Sequence, residues 1–267
     1  MSRIEEALEK AASMRKAPLP PASVPLKPVE TGGQAMERLL KAKPLPLENP
    51  CLNHQQKNPA ASEEYRKLRS QILQLTKGQP LRNTLLVTSA GSREGKTVTA
   101  LNLSMALAQE YDYTVLLVDA DLRRPSVHEY LGLKPKTGLI QCLKGEATLE
   151  QALVKTGLGK FVVLPAGGSV SDPVELLSSK RMKELVMELK NRYPERYIVF
   201  DTPPSLPFAD ARVLSAAVDG VLFVIREGMT HLDQAREALA ALEEAQLLGV
   251  VYNDASLTSP QSHYHYY

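Results

Sequence analysis

Short apolar runs alternate with segments of helical period from residue 62 onward, and no other feature of the sequence constrains the fold as strongly. The runs are strand-sized and lack the polar–apolar alternation of half-exposed strands, so burial on both faces is predicted. Strands of this kind separated by helices predict an α/β fold, a mostly parallel sheet flanked by helices. The predicted strands are Leu85–Thr88, Val115–Asp119, Phe161–Leu164, Tyr197–Asp201, Val221–Ile225 and Gly249–Tyr252. The predicted helices are Thr97–Glu110, Val174–Asn191, Ala209–Ala217 and Leu232–Gln246.

The N-terminal part of the chain has a different character. Residues 1–16 carry an apolar stripe at the helical period, which predicts a short amphipathic helix that is either solvated or docked on a partner. Residues 17–61 contain almost half of the chain's 19 prolines and predict an extended or disordered linker, with one further helical turn at 34–41. Ser62, followed directly by acidic residues, predicts the cap of the first helix of the folded domain.

The predicted domain covers residues 62–255, and a flexible tail follows over residues 256–267. A chain of 267 residues that is 43% apolar suffices for one α/β domain with appendages. Its formal net charge of +2 gives no indication of nucleic-acid binding, and two cysteines are too few for a disulfide framework or a metal site. No apolar run approaches the roughly 20 residues that span a bilayer, and the N-terminus is too charged for a signal peptide. We therefore expect a cytoplasmic protein.

A phosphate-binding loop is predicted between the first strand and an apolar helix. It consists of Ala90, Gly91, Ser92, Arg93, Glu94, Gly95, Lys96 and Thr97, with alanine in the first glycine position. Small residues let backbone N–H groups approach phosphate oxygens, and the helix N-terminus adds its positive dipole end. Lys96 is expected to reach the terminal phosphates, and the Thr97 hydroxyl to ligate Mg²⁺. An ordinary glycine-rich turn is the alternative, and the order of strand, loop and helix disfavours it.

Acidic residues stand at the ends of two later strands. Asp119 and Asp121 are two residues apart, so both would face one site if the extended geometry persists to Asp121. Asp201 ends another buried strand and is followed by a stiff Thr-Pro-Pro turn. Carboxylates beside bound phosphate are suited to holding Mg²⁺ and to accepting a proton from an attacking hydroxyl. Solvated acidic strand ends are the alternative for each of them.

Tyrosines dominate the end of the chain, at Tyr264, Tyr266 and Tyr267. They follow a polar stretch and lie beyond the last predicted strand, so they are not expected in the core. A flexible aromatic tail can reach the active site of its own subunit or of a neighbour. An incidental sticky tail is one alternative, and metal capture by the interleaved histidines is another, which a single His-x-His pair supports only weakly.

Together these motifs resemble those of the bacterial tyrosine kinases of polysaccharide-synthesis loci, over about residues 62–267. The resemblance rests on the phosphate loop, the Asp-x-Asp-x-Arg strand end at 119–123, the Asp201–Pro204 turn and the stretches 164–167 and 172–177. The spacing of Glu63, Arg66 and Arg69 is similar to that family's oligomerisation motif. The segment at residues 4–15 resembles the variant from exopolysaccharide loci with exosortase systems.

The resemblance implies a P-loop NTPase fold of the deviant-Walker type and a kinase that uses ATP and Mg²⁺ to phosphorylate its own C-terminal tyrosines. Lys96, Thr97, Asp119, Asp121 and Asp201 would form the ATP–Mg²⁺ site, with Asp119 also orienting the tyrosine hydroxyl. Asn253 would be a weaker candidate for contacting adenine, and Arg226 a weaker one still.

Several partners are also implied by the resemblance. Glu63, Arg66 and Arg69 would build a homo-oligomeric ring that presents each tail to a neighbouring subunit. Because the membrane segment of fused relatives is not found, a separate membrane protein of the chain-length-regulator type is expected as activator and would recruit the chain to the plasma membrane. A tyrosine phosphatase is expected to reverse the modification. The tail is shorter than in many relatives, which leaves open which tyrosines are used.

Two other functions fit parts of the sequence. A positioning or partition ATPase of the same superfamily would act as a binding switch, but its phosphate loop carries an additional early lysine, where this chain has Gly91. A scaffold would rely on the N-terminal helix and linker and would keep only a vestigial ATP site. The complete set of phosphate and Mg²⁺ residues argues against the scaffold, because clustered carboxylates without a cation reduce stability.

Overall fold

The computed structural model describes residues 49, 51–52, 58–78, 82–193, 195–242 and 244–256. The helices predicted within residues 1–16 and 34–41 lie outside these residues, and so do the three C-terminal tyrosines. The division of the chain into helix, linker, domain and tail therefore stays a prediction.

A seven-stranded sheet forms the centre of the described part of the chain, with the order β3-β4-β2-β5-β1-β6-β7. Neighbouring strands are parallel except for the antiparallel pair β3–β4. This architecture confirms the predicted mostly parallel sheet. The strands are β1 (Thr84–Ser89), β2 (Thr114–Asp119), β3 (Val154–Lys155), β4 (Phe161–Leu164), β5 (Arg196–Asp201), β6 (Gly220–Arg226) and β7 (Leu247–Asn253).

Helices cover both faces of the sheet, which explains the continuous apolar runs of the central strands. Alternate side chains of a strand point to opposite faces. In β1, Leu85 and Val87 pack with the first three helices, whereas Leu86 packs with the later ones. The helices are α1 (Pro59–Thr76), α2 (Lys96–Leu107), α3 (Val127–Tyr130), α4 (Leu139–Lys144), α5 (Leu149–Ala152), α6 (Val174–Ser178), α7 (Lys180–Arg192), α8 (Asp210–Ser215) and α9 (Leu232–Ala240).

The start of α1 differs from the prediction. Ser62 was predicted as the cap, but the helix begins at Pro59, and the Asn58 side chain accepts a hydrogen bond from the Ala61 N–H at 3.2 Å. Asn58 is a preferred N-cap residue and Pro59 fits the first helical position, where no N–H is needed. The Ser62 hydroxyl instead donates to the Asn58 carbonyl within the first turn. Leu52, upstream of the predicted domain, is fully buried in the core.

Two further differences concern helix and strand boundaries. The single helix predicted over 174–191 is interrupted at Ser179, whose extended backbone ends α6 and whose hydroxyl caps α7 at the Met182 N–H. The prediction of burial on both faces was wrong for β7, which pairs only with β6 and leaves Leu247, Val250 and Tyr252 about half exposed. An edge strand has one neighbour and therefore less cover.

The carboxyl ends of β2, β5 and β1 lie side by side in the middle of the sheet. Asp119 on β2 is the register partner of Asp201 on β5, and Asp201 is in turn the partner of Val87 on β1. The phosphate loop follows β1 directly, so the topology brings the predicted motifs to one edge. No helix in the described segments combines the length and apolar character needed to cross a bilayer.

Candidate active site

The loop between β1 and α2 has the shape of an anion-binding turn. Arg93 and Gly95 adopt positive φ values of 62° and 96°, and the Ser89 hydroxyl donates to the Gly91 carbonyl at 2.7 Å. Helix α2 begins at Lys96, and no side chain caps its N-terminus. The first N–H groups of the helix therefore remain available to a bound anion, with the positive end of the helix dipole behind them.

Lys96 lies under this loop rather than in solvent. Its side chain is buried, and Nζ donates to the Gly91 carbonyl oxygen at 3.2 Å. Burial lowers the pKa of Lys96, while the nearby charges of Asp201, Asp121 and Glu94 oppose that shift. These charges favour the charged form of Lys96; Asp121 and Asp201 were predicted for this site, whereas Glu94 was predicted only as part of the loop.

Asp119 and Asp201 form the floor of the site. Both are fully buried, and the N–H that follows Asp119 donates to the Asp201 carbonyl at 2.8 Å. Asp119 Oδ2 accepts a hydrogen bond from the Val127 N–H at 3.1 Å, which fixes the orientation of that carboxyl group. Asp119 Oδ1 and both carboxyl oxygens of Asp201 have no hydrogen-bond partner of good geometry.

The two carboxyl groups are difficult to ionise without a cation. Burial raises the pKa of Asp119 well above its ordinary value, and the charge of Asp201 adds to the shift, whereas the Val127 N–H opposes it. Burial likewise raises the pKa of Asp201 to about 7, with the Thr97 hydroxyl and the Lys96 charge opposing the rise. Buried carboxylates with unpaired oxygens are unfavourable unless a cation or a proton neutralises them.

Asp121 lies beyond the end of β2, so the extended geometry does not persist to it. Its Oδ1 accepts a hydrogen bond from the Arg124 N–H at 3.0 Å. Burial raises its pKa, and the charge of Lys96 opposes the shift, so Asp121 also faces the lysine. Arg123 holds this turn in place through two hydrogen bonds to the buried Asp210 carboxylate, at 2.6 and 3.1 Å.

The residues present fit a hard divalent cation. The unpaired Asp201 oxygens lie near the Thr97 hydroxyl, and Asp119, with its unpaired Oδ1, is the register partner of Asp201. The Thr97 hydroxyl is 3.3 Å from that of Ser126. Within the described segments, no three carboxylate, imidazole or thiolate groups converge closely enough to hold a metal unaided. Mg²⁺ usually takes one or two carboxylates and completes its octahedron with water and substrate phosphates, and the carboxyl oxygens and the hydroxyl present here are ligands of that kind.

Asn253 and Arg226, the weaker candidates for adenine contact, both touch the phosphate loop. The Asn253 Nδ2 group donates to the Glu94 carbonyl at 3.0 Å. Arg226 donates to the Arg93 carbonyl at 3.1 Å and forms an ion pair with Asp254 at 2.7 Å. Contact with adenine stays a prediction for both residues, but one amide hydrogen of Asn253 is already engaged.

The three residues of the predicted oligomerisation motif do not behave alike. Glu63 and Arg66 form an exposed ion pair at 3.0 Å on the surface of α1. Arg69 is mostly buried, donates to the Ala106 carbonyl at 3.2 Å and lies 2.9 Å from a Glu110 carboxyl oxygen. Arg69 therefore joins α1 to the end of α2 within the subunit, and Glu63 and Arg66 remain exposed at the surface.

Some contributors to the site were not identified from the sequence. Ser126, Thr230 and Asp210 carry no motif, and they reach the site only because loops far apart in the chain meet at the sheet edge. Glu94 was predicted only as a member of the loop, whereas its side chain is buried. Small polar and acidic residues are common in loops, and no sequence spacing distinguishes those that reach the site from those that do not.

Comparison with known proteins places these features in a family. A family model described as an AAA domain matches residues 90–247. The tyrosine-protein kinase YwqD of Bacillus subtilis (strain 168) is 40% identical over 208 residues, which cover 77% of this chain and 86% of that protein.

Among solved structures, a bacterial tyrosine kinase domain is more similar to this chain than a cell-division ATPase is. The kinase domain of the Escherichia coli tyrosine kinase ETK is similar with a TM-score of 0.69 and 30% identity, over 79% of this chain and 84% of that one. The septum site-determining protein MinD from Pyrococcus horikoshii OT3, complexed with Mg-ADP, gives a lower TM-score of 0.54 at 25% identity. That likeness covers 64% of this chain and 69% of MinD.

Proposed function

Because this chain belongs to the family of bacterial tyrosine-protein kinases, we propose that it transfers phosphate from Mg²⁺-ATP to tyrosine, with Tyr264, Tyr266 and Tyr267 of its own tail as acceptors. The observation that carries this proposal is the convergence of Lys96, Asp119 and Asp201 at the phosphate loop, with carboxyl oxygens left unpaired. The MinD structure bound to Mg-ADP supports the same ligand for this loop.

The chain's residues supply position and charge for the transfer. The loop N–H groups and the N-terminus of α2 receive the phosphates, and Lys96 neutralises charge that develops on them. Mg²⁺, when bound by Thr97 and the aspartates, would offset further phosphate charge. Oriented by the Val127 N–H, Asp119 would align the tyrosine hydroxyl through its unpaired Oδ1.

The reaction itself exchanges one bond to phosphorus for another. The tyrosine oxygen bonds to the γ-phosphorus while the bond between that phosphorus and the ADP oxygen breaks, and the hydroxyl proton passes to Asp119 or to solvent. Burial raises the pKa of Asp119 in the unliganded chain, and a cation bound beside it would favour the ionised form, which is the form that can accept the proton.

We also propose the regulatory setting that the family resemblance implies. The kinase would control exopolysaccharide synthesis or export, and its exposed Glu63 and Arg66 would contribute to a ring of subunits. A membrane activator of the chain-length-regulator type would hold it at the inner face of the plasma membrane. A tyrosine phosphatase would return the tail to its unmodified form.

A positioning or partition ATPase is the second candidate. The lower TM-score of MinD, 0.54 against 0.69 for the ETK kinase domain, favours the kinase. Gly91, where such ATPases carry a lysine in the loop, and the tyrosine-rich tail favour it as well.

Incubation of the purified full chain with Mg²⁺-ATP tests the two functions directly. Intact-mass measurement and peptide mapping should show phosphate on the C-terminal tyrosines, and Lys96→Met should lose the modification while keeping its fold, because a buried cation at the phosphates is removed. Release of inorganic phosphate without modified protein would support the ATPase instead. Undiminished labelling of Lys96→Met would exclude this site as the catalytic one.

A further inference from the structure

The side chain of Glu94 has an unusual position for a residue of a phosphate-binding loop. Its neighbours Ser92 and Arg93 are exposed, but Glu94 is only 2% exposed and points into the protein. A buried carboxylate carries the same sign of charge as the phosphates that the loop is built to receive. Such a group is retained only where its hydrogen bonds offset the cost of burial and repulsion.

Both oxygens of the Glu94 carboxylate have a donor. The Gly91 N–H donates to Oε2 at 2.8 Å, which closes the loop on itself. The Thr230 hydroxyl donates to Oε1 at 2.6 Å, and the same hydroxyl accepts the Arg226 N–H at 2.8 Å. Glu94 and Thr230 thus connect the phosphate loop to the turn that follows β6.

Two backbone contacts strengthen the same connection. Arg226 donates to the carbonyl of Arg93, the non-glycine residue that the loop holds in the left-handed region. Asn253 donates to the carbonyl of Glu94 and packs against Gly95, where an added Cβ would lie 2.0 Å from its Nδ2. The loop is therefore held from one side by the ends of β6 and β7.

We propose that Glu94 and Thr230 are positioning residues that keep the phosphate loop in its nucleotide-binding shape. The pair acts through the backbone of residues 91–95 and need not touch the phosphates. This inference rests on the proposed function, because it assumes that the loop binds Mg²⁺-nucleotide. Preorganised N–H groups bind an anion more tightly than groups that must be ordered on binding.

Thr230→Val tests the pair without a large change in volume. The substitution leaves a Glu94 oxygen without its donor and the Arg226 N–H without its acceptor. We expect Mg-ADP, measured by isothermal titration calorimetry on the full chain, to bind about tenfold more weakly, equivalent to about 1.4 kcal/mol. The KM for ATP should rise by a similar factor, with a smaller change in kcat, and Thr230→Ser should restore both because it keeps the hydroxyl.

Thr84→Val provides a matched control at the opposite end of the same strands. The Thr84 hydroxyl also donates to a partly buried carboxylate, that of Asp219, at 2.7 Å, but at the start of β1, far from the loop. We expect Thr84→Val to lower the melting temperature without weakening Mg-ADP binding. Thr230→Ala gives a second test of the hydroxyl if the valine variant does not fold.

The outcomes separate this inference from the proposed function. Weak Mg-ADP binding by Thr230→Val with normal binding by Thr84→Val supports the positioning role. Equal affinity of Thr230→Val and the unmodified chain overturns it and leaves the kinase proposal intact. Equal weakening by both valine variants also overturns it, because general destabilisation then explains the effect. Failure of the unmodified chain to bind Mg-ADP would instead remove the proposed function.

Discussion

Asp201 has unfavourable surroundings in the folded chain without ligand. It is fully buried, neither carboxyl oxygen has a hydrogen-bond partner of good geometry, and its register partner is a second buried aspartate. Removing one charge from such a group relieves desolvation and repulsion together. A site that reduces the stability of its own fold is expected where function requires an unneutralised charge.

Asp201→Asn should therefore stabilise the metal-free chain at alkaline pH. The folded pKa of about 7 lies above the ordinary 3.8, so the native carboxyl binds a proton that the unfolded chain has already lost. Stability consequently falls as pH rises between these values, and the loss is complete above the folded pKa. We expect a gain on the order of 2 kcal/mol at pH 8 in EDTA, measured by thermal unfolding, and a smaller gain at pH 5.

Asp219→Asn is the contrasting variant for that measurement. The Asp219 carboxylate accepts hydrogen bonds from Lys190 and Thr84. Burial alone would raise its pKa, but these partners outweigh burial and lower the pKa below its ordinary value. Loss of this paired charge should lower the melting temperature. Destabilisation by both asparagine variants at pH 8, or no gain for Asp201→Asn, would contradict the view that Asp201 is unpaired.

At the level of elements, α1 contacts α2 on one side and carries Glu63 and Arg66 of the predicted oligomerisation motif on its surface. Arg69 fastens α1 to the end of α2, and α2 begins at the phosphate loop. Arg66 lies about one turn before Arg69 and Glu63 nearly two turns before it, and the two form an ion pair at the surface. The helix therefore has one arginine engaged within the subunit and another available to a neighbouring subunit.

Arg66→Glu should dissociate the proposed ring while leaving each subunit folded. Exposed pairs of this kind contribute less than about 1 kcal/mol to stability, so the fold should survive the charge reversal. Lys67→Glu is the matched control, because Lys67 and Glu64 form an equivalent exposed pair at 2.7 Å on the same helix. Light scattering should report monomers only for Arg66→Glu. A monomeric unmodified chain at high concentration would refute the ring.

Elements were predictable from the sequence where burial alone determines them. Strand β4 agrees with its predicted limits, Phe161–Leu164, because a strand covered on both faces must be apolar at every position. Where a predicted helix boundary was wrong, a local side-chain hydrogen bond explains the difference. Asn58 caps α1 in place of Ser62, and Ser179 divides a predicted helix, since both residues bond to backbone groups that periodicity does not report.

Residues of the site were predictable from the sequence where they belong to a recognisable motif. Lys96 follows β1 after the phosphate loop, and Asp119 and Asp201 are the last residues of β2 and β5. Parallel strands end at a common edge, so the proximity of these residues followed from topology. The Thr230 hydroxyl reaches Glu94 across 136 residues of chain, and no local pattern encodes such a contact. Contacts of that range depend on which loops, distant in sequence, lie side by side in the folded chain.

In the molecule as a whole, the last strand brings the chain back to the active site before the tail begins. Strand β7 ends at Asn253, in contact with the phosphate loop. Tyr264 follows the last described residue, Ser256, by eight positions, a span of at most about 28 Å when fully extended. The tail therefore starts near the phosphate loop of its own subunit.

Deletion of residues 262–267 should abolish autophosphorylation and leave Mg-ADP affinity unchanged, because the residues identified for nucleotide binding lie elsewhere, around the phosphate loop. Phosphotyrosine detection and calorimetry on the same preparation measure the two effects. A full-length Lys96→Met chain mixed with the truncated enzyme supplies the control, since its tail should become labelled if transfer occurs between subunits. Unchanged phosphotyrosine on the truncated chain would show that the main acceptor lies elsewhere.

The contact between Gly95 and Asn253 limits how this protein can diverge. A side chain at position 95 would require the left-handed backbone to relax and the amide at position 253 to retreat. The left-handed backbone disfavours a side chain at position 95 even if Asn253 is shortened, whereas a smaller residue at position 253 removes the hydrogen bond to Glu94 without creating a clash. Descendants of this chain are therefore expected to keep Gly95 and to vary first at position 253, although the two residues meet across 158 positions of sequence.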